Sequence, residues 1–147
     1  MLSTIDKTLS HVLRLSEHTG NCSVAGKVIV VMMELRMPTK CNGFEFLKQS
    51  ILLQHKDPTR ALSGDIYQEI ALHYRQDSED LVDQAIRETI DRAWKTGSKK
   101  ARDWYFSYDG QSQARKPSNS DVISRIAYVV ELWQECCTEE VCDEREC

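Results

Sequence analysis

Glycine and proline are scarce in this chain, six and three in 147 residues. Few turns are therefore strongly punctuated, and long helices are expected. Long hydrophobic runs are missing as well. The longest strongly apolar run, Val28 to Met33, has six residues, against the ~20 that span a bilayer. The first residues, Met-Leu-Ser-Thr-Ile-Asp-Lys, lack the basic stretch and apolar core of a signal peptide. The expected compartment is the cytoplasm, with no membrane partner. Catalytic sets are absent too. His11, His18, His55 and His73 are scattered, with no carboxylate or cysteine at ligand spacing on the same face. No serine or cysteine has an adjacent base and orienting group, and no glycine-rich loop would cradle a phosphate. Neither an enzyme nor a cofactor is expected.

Six cysteines are present, but Cys136, Cys137, Cys142 and Cys147 crowd the last residues. A zinc site needs paired ligands that close a tetrahedron, usually two Cys-x2-4-Cys pairs. Spacings that are adjacent, then five, then five do not supply them, so no metal is expected. What is present, 41% hydrophobic and 29% charged residues, is the mix of a soluble globular protein, and the length suits one domain.

The net charge of −4 is unevenly spread. Glu135 to Cys147 holds six acids and one base, so the rest of the chain is nearly neutral, at +1. Between Asp83 and Lys116 eight bases face five acids. A locally basic face on an acidic chain is compatible with nucleic acid. The expected division is an N-terminal extension at 1–24, a domain at 25–134, and a disordered acidic, cysteine-rich tail at 135–147.

Apolar spacing predicts a short helix from Ile5 to Leu15, broken at Thr19-Gly20-Asn21. From Val24 to Leu35 helix and strand compete, because Val-Ile-Val-Val favours β structure. A helix is predicted over Gly43–Gln54, with Pro58 breaking the chain after it. Another covers Ser63–Tyr74, with Ile66, Tyr67, Ile70, Ala71 and Tyr74 on one face. After a polar connection, Arg75-Gln76-Asp77-Ser78, a further helix runs to about Lys95 and ends at Gly97. Asp77 or Ser78 is suited to cap it. Lys99–Lys116 holds Trp104, Tyr105 and Phe106 and then a polar loop, and a last helix covers Asp121–Gln134. The expectation is an all-α fold, a single helical domain of six or seven helices.

Two amphipathic helices joined by four polar residues match a helix-turn-helix, whose second helix enters the DNA major groove. Its outward face carries Asp83, Gln84, Arg87 and Glu88, the candidate base readers. Gln84 suits adenine, and Arg87 suits guanine. Arg92, Lys95, Lys99, Lys100, Lys116 and Ser118 are the candidates for the DNA backbone.

Four stretches carry a resemblance. Met37-Pro38 is followed five residues later by Gly43-Phe44. Ile66-Tyr67-Gln68-Glu69-Ile70-Ala71 precedes the turn. Val82-Asp83-Gln84-Ala85-Ile86-Arg87 leads to Ala93-Trp94-Lys95-Thr96-Gly97, and Lys116-Pro117-Ser118-Asn119-Ser120 opens the last helix. In order and spacing, Val28 to Leu132 resembles the C-terminal effector domain of the response regulator that initiates sporulation in endospore-forming bacteria. The resemblance implies an all-α, sequence-specific DNA-binding transcription regulator, standing here without its receiver domain. It implies double-stranded DNA as partner, bound as a homodimer or tandem copies, with RNA polymerase as a further partner. Two departures bear on the operator. The family places Arg directly after its acid, where this chain has Gln84, and a small hydroxyl residue where it has Asp80. Asp83 and Arg87 keep the family's residue type.

Two alternatives stand beside this. Val28 to Lys48, with Glu34-Leu35-Arg36-Met37-Pro38, also resembles the phosphoacceptor segment of a receiver, Glu34 standing for the aspartate. Only 33 residues precede Glu34, too few for the acidic pair a receiver needs, and the segments after it read as helical. The second is a protein-interaction module that modulates full-length relatives without binding DNA. The acidic tail is expected to shield the basic face in place of the missing receiver.

Overall fold

The computed structural model describes residues 4–19, 23–106 and 116–145. Among them are seven helices and no strand. They are α1 (Thr4–Thr19), α2 (Val24–Glu34), α3 (Asn42–Lys56), α4 (Tyr67–His73), α5 (Glu79–Thr96), α6 (Lys99–Phe106) and α7 (Asn119–Arg145). The all-α expectation holds. No helix among the described residues is long and apolar enough to cross a membrane.

α7 is the scaffold. Val122, Ile123, Ile126, Val129, Val130 and Trp133 recur at three- and four-residue spacing and are fully buried, the seam that binds a helix to its neighbours. α1, α2 and α3 all pack along it. α3 also packs on α5, and α4 on α5, so α3 links the scaffold to the helix-turn-helix.

The competition at Val24–Leu35 is resolved as helix, for two local reasons. Ser23 caps it, its Oγ accepting from the Gly26 N–H at 3.0 Å. Val28, Val31, Met32 and Leu35 then fall on one fully buried face, which a strand's two-residue period would have split. The receiver alternative falls with this, since Glu34 ends a helix and not a strand. A left-handed Arg36 (φ 63°) closes α2. Its N–H donates to Met33 O (3.0 Å), and the Met37 N–H to Met32 O (3.1 Å). That is a Schellman closure, with the buried Met37 at its usual apolar position.

α1 is longer than predicted and is packed against α6 and α7. A polar cluster fastens it. His11 Nε2 donates to Glu34 Oε1 at 2.9 Å, and Tyr105 donates its hydroxyl to the same carboxylate. The His11 ring stacks on Trp104, centroids 3.9 Å apart. Thr8 Oγ1 donates to Trp104 O (2.7 Å) and accepts from Arg125, which also donates to Tyr105 O. His11 thus has a carboxylate partner that its own neighbours in sequence did not reveal. α7 also exceeds its predicted end at Gln134, and the helix continues through the acidic residues to Arg145.

Burial pushes the Glu34 carboxyl up, but the hydrogen bonds from His11 and Tyr105 and the histidine's charge outweigh it and hold the group below 4.5. Its contribution to stability is therefore present above pH 4.5 and lost as pH falls through the lowered value. Glu34→Gln should cost about 2 kcal/mol at neutral pH. In thermal melts across pH, the gap between wild type and variant should close below pH 4.5. A gap that stays constant with pH would rule out an ionised, hydrogen-bonded Glu34.

Candidate nucleic-acid interface

α4 ends as α2 does. Arg75 is left-handed (φ 54°). Its N–H donates to Leu72 O (3.3 Å), and the Gln76 N–H donates to Ala71 O (2.8 Å). This second Schellman closure turns the chain sharply and delivers Ser78 as the N-cap residue of α5. The Ser78 side chain makes no capping bond, and Glu79 and Asp80 occupy the positive end instead. Glu79 Oε1 accepts from the Gly64 N–H (2.8 Å), tying the loop before α4 to the start of α5. Gly64 is itself left-handed (φ 82°), and Arg60 clamps Asp65 and Glu69 on either side of α4's entry.

On α5, Val82, Ile86, Ile90 and Ala93 are fully buried. Their spacing turns Gln84, Arg87, Glu88, Arg92 and Lys95 to solvent. Trp94 at the far end packs edge-on against the buried Phe106 of α6, centroids 5.2 Å apart, and Arg102 of α6 donates to Trp94 O (2.6 Å). The aromatics at 104 to 106 therefore anchor α5 and α1 and do not form a stacking surface.

The first turns of two other helices flank the exposed face of α5. On one side, Asp83 and Arg87 share a cavity of about 310 Å³ with Tyr67, Lys116, Ser118 and Asn119, at the start of α7. On the other, Glu88 and Arg92 share one of about 230 Å³ with Cys41, Asn42 and Gly43, at the start of α3. Arg92 Nη1 lies 3.3 Å from Cys41 Sγ.

The predicted residues fall into distinct places. Asp83 is half-buried, and its carboxylate accepts from Arg87 and from Asn119 Nδ2 (2.9 Å); Asn119 Nδ2 also reaches Asp83 O (3.0 Å). Asp83 thus couples α5 to α7 and orients Arg87. Burial pushes the nearby Tyr67 phenol up to about 12, with Asp83's charge adding to it and Asn119 opposing. Gln84 Nε2 donates to Glu88 Oε2 (3.2 Å), both exposed. Lys116 pairs with Asp91, which draws the α7 entry onto α5. Ser118 caps α7: its Oγ accepts from the Asp121 N–H (3.1 Å), and its own N–H donates back to Asp121 (3.4 Å). Lys99 pairs with Asp103 at 3.4 Å, and Lys100 lies over Trp104 at 5.7 Å. Both are on α6, away from the cavity that collects Asp83, Arg87, Lys116 and Ser118. Asn119 is absent from the sequence candidates. Its place within the Lys-Pro-Ser-Asn-Ser run marks a helix start, but nothing in the run shows that this start lies on α5.

Electrostatically, α5 departs from a basic helix. It carries Glu79, Asp80, Asp83, Glu88 and Asp91 against Arg87, Arg92 and Lys95. The basic excess between Asp83 and Lys116 thus comes from residues after α5. α7 begins beside α5, and a rise of ~1.5 Å per residue carries Glu135 roughly 24 Å away from Asn119 along the helix axis.

Taken together, the seven helices, the short α4, the tight turn and the solvent-facing α5 define a helix-turn-helix domain of the kind that presents its second helix to a partner. Residues 28–130 match the model of the family described as Sporulation initiation factor Spo0A C terminal. The chain belongs to that family, a family of DNA-binding effector domains and not of catalysts.

Removing the Asn119 side chain should detach the start of α7 from α5. For Asn119→Ala we expect a loss of about 1 kcal/mol in stability from the missing bonds, read by urea titration. The amide signals of Asp83 and Arg87 should shift in the same variant. A variant with unchanged stability and unchanged Asp83 and Arg87 signals would show that the clamp does not position α5.

Proposed function

We propose that this domain binds double-stranded DNA sequence-specifically and regulates transcription, with α5 entering the major groove. The observation that carries this is the placement of Gln84 and Arg87. They are exposed on the first half of α5, directly after the turn, and the first turns of α3 and α7 stand on either side. Helix N-termini offer backbone N–H groups to phosphates. Here they come with Arg92 on one flank and with Lys116 and Ser118 on the other. Those three residues, and Lys95 further along α5, are the proposed backbone contacts, and Lys99 and Lys100 would serve only DNA that extends along α6. Gln84, Arg87 and Glu88 are the proposed base readers, with Asp83 acting through Arg87. Binding as a dimer or as tandem copies, and contact with RNA polymerase, complete the reading for a transcription regulator.

One observation favours a second reading, the interaction module that does not bind DNA. Five acids against three bases on α5 repel phosphates and suit a protein surface. Fluorescence anisotropy of the full chain with a duplex carrying the family's box and with a scrambled duplex, at two salt concentrations, separates the two. A regulator binds with an affinity that falls steeply as salt rises. Arg87→Ala should weaken the preferred duplex by about 1–3 kcal/mol and leave scrambled DNA nearly unaffected. Absence of salt-sensitive binding to either duplex would favour the interaction module.

A further inference from the structure

Resting on the DNA-binding reading, we infer that Glu88, held beside Gln84, makes this domain select a base with an exposed amino group, cytosine, next to the base read by Gln84. Residues on α5 are about 100° apart around the helix axis, so Gln84 sits at the middle of the exposed arc. Arg87 lies toward the α7 flank and Glu88 toward the α3 flank, as the two cavities show. Three neighbouring positions therefore face the groove with three different chemistries.

Arg87 offers only donors, and the Asp83 carboxylate fixes its guanidinium. That matches the O6 and N7 acceptors of guanine. Gln84 gives one Nε2 hydrogen to Glu88. Its second hydrogen and its carbonyl remain for the N7 and N6 of adenine. Glu88 has no hydrogen to give. It receives one from Gln84 on Oε2, and its remaining lone pairs are left as acceptors. In the major groove guanine and thymine present acceptors at the base edge, and a carboxylate is repelled by them. Cytosine and adenine present an amino donor there. Adenine's N6 stands beside its own N7 acceptor, which repels a carboxylate, whereas cytosine's N4 has no acceptor beside it on the ring, so cytosine is the base a carboxylate accepts from most favourably. The Gln84 contact stiffens an otherwise mobile side chain, so less freedom is lost on binding. The acid on the α3 flank thus acts as a filter: it excludes most bases at one position and admits cytosine.

Selection of duplexes from a random pool by the full chain tests this, with Glu88→Ala and Glu88→Arg selected in parallel. Position 88 is exposed, so both variants should keep the wild-type helical signal by circular dichroism. The wild-type pool should contain a cytosine position favoured by about fivefold or more. Glu88→Ala should lose that preference, and Glu88→Arg should change it to guanine. The guanine opposite Arg87 should persist in all three pools. An identical consensus from all three proteins, or a base other than cytosine at the position that Glu88 controls, would overturn the assignment and leave the DNA-binding reading standing. No enriched sequence from any of the three would overturn both.

Discussion

The placement of α5 depends on how closely it approaches α3. Gly43, in the first turn of α3, has no room for a side chain. A Cβ there would stand 2.0 Å from Thr89 Oγ1 and 2.3 Å from the Ala85 carbonyl oxygen. Only glycine lets the two backbones meet at this distance, and this contact joins the helix-turn-helix to the α3–α7 core. Thr89 contributes by donating its hydroxyl to Ala85 O (2.9 Å), which keeps a buried polar group satisfied. On the opposite side Asn119 ties α5 to the start of α7. The exposed arc of α5 is therefore fixed from both flanks, and the flanking helices present their N-termini beside it.

This arrangement bears on the acidity of α5. Asp83 and Asp91 are engaged by Arg87, Asn119 and Lys116, so two of the five acids act within the domain, aligning the bases that remain. Glu79 is likewise engaged by the Gly64 N–H. Asp80 and Glu88 are the acids left on the exposed arc. An acid there weakens non-specific attraction to DNA and sharpens discrimination among bases. On the proposed DNA-binding reading, the charge on this helix bears on selectivity more than on affinity.

Much of the fold was legible in the chain. Three- and four-residue periodicity found α3, α5 and the core of α7, because in each the apolar stripe is uninterrupted. The segment Val24–Leu35 stayed open because short-range β preference and helical period point in opposite directions. Only burial of Val28, Val31, Met32 and Leu35 on one face decides it. Periodicity stops short of the ends of α1 and α7 because charged residues continue the helix where the apolar pattern thins. For the site, Gln84, Arg87 and Glu88 could be read as outward from periodicity alone. The engagement of Asp83 by Asn119, and of His11 by Glu34, could not. Each pair joins different helices, over 36 and 23 positions, and helical periodicity carries no trace of that proximity.

The central claim is that α5 and the first turns of α3 and α7 form one DNA-binding surface. The most direct measurement is amide chemical-shift mapping of the labelled chain on addition of a duplex it has been shown to prefer. Shifts are predicted at Gln84, Arg87 and Glu88, together with Asn42 and Gly43 on one flank and Asn119 and Ser120 on the other. The signals of Val28 to Met32 in α2 should stay in place. Shifts concentrated in the separate groove lined by His55, Tyr128 and Glu131, with α5 unmoved, would contradict it.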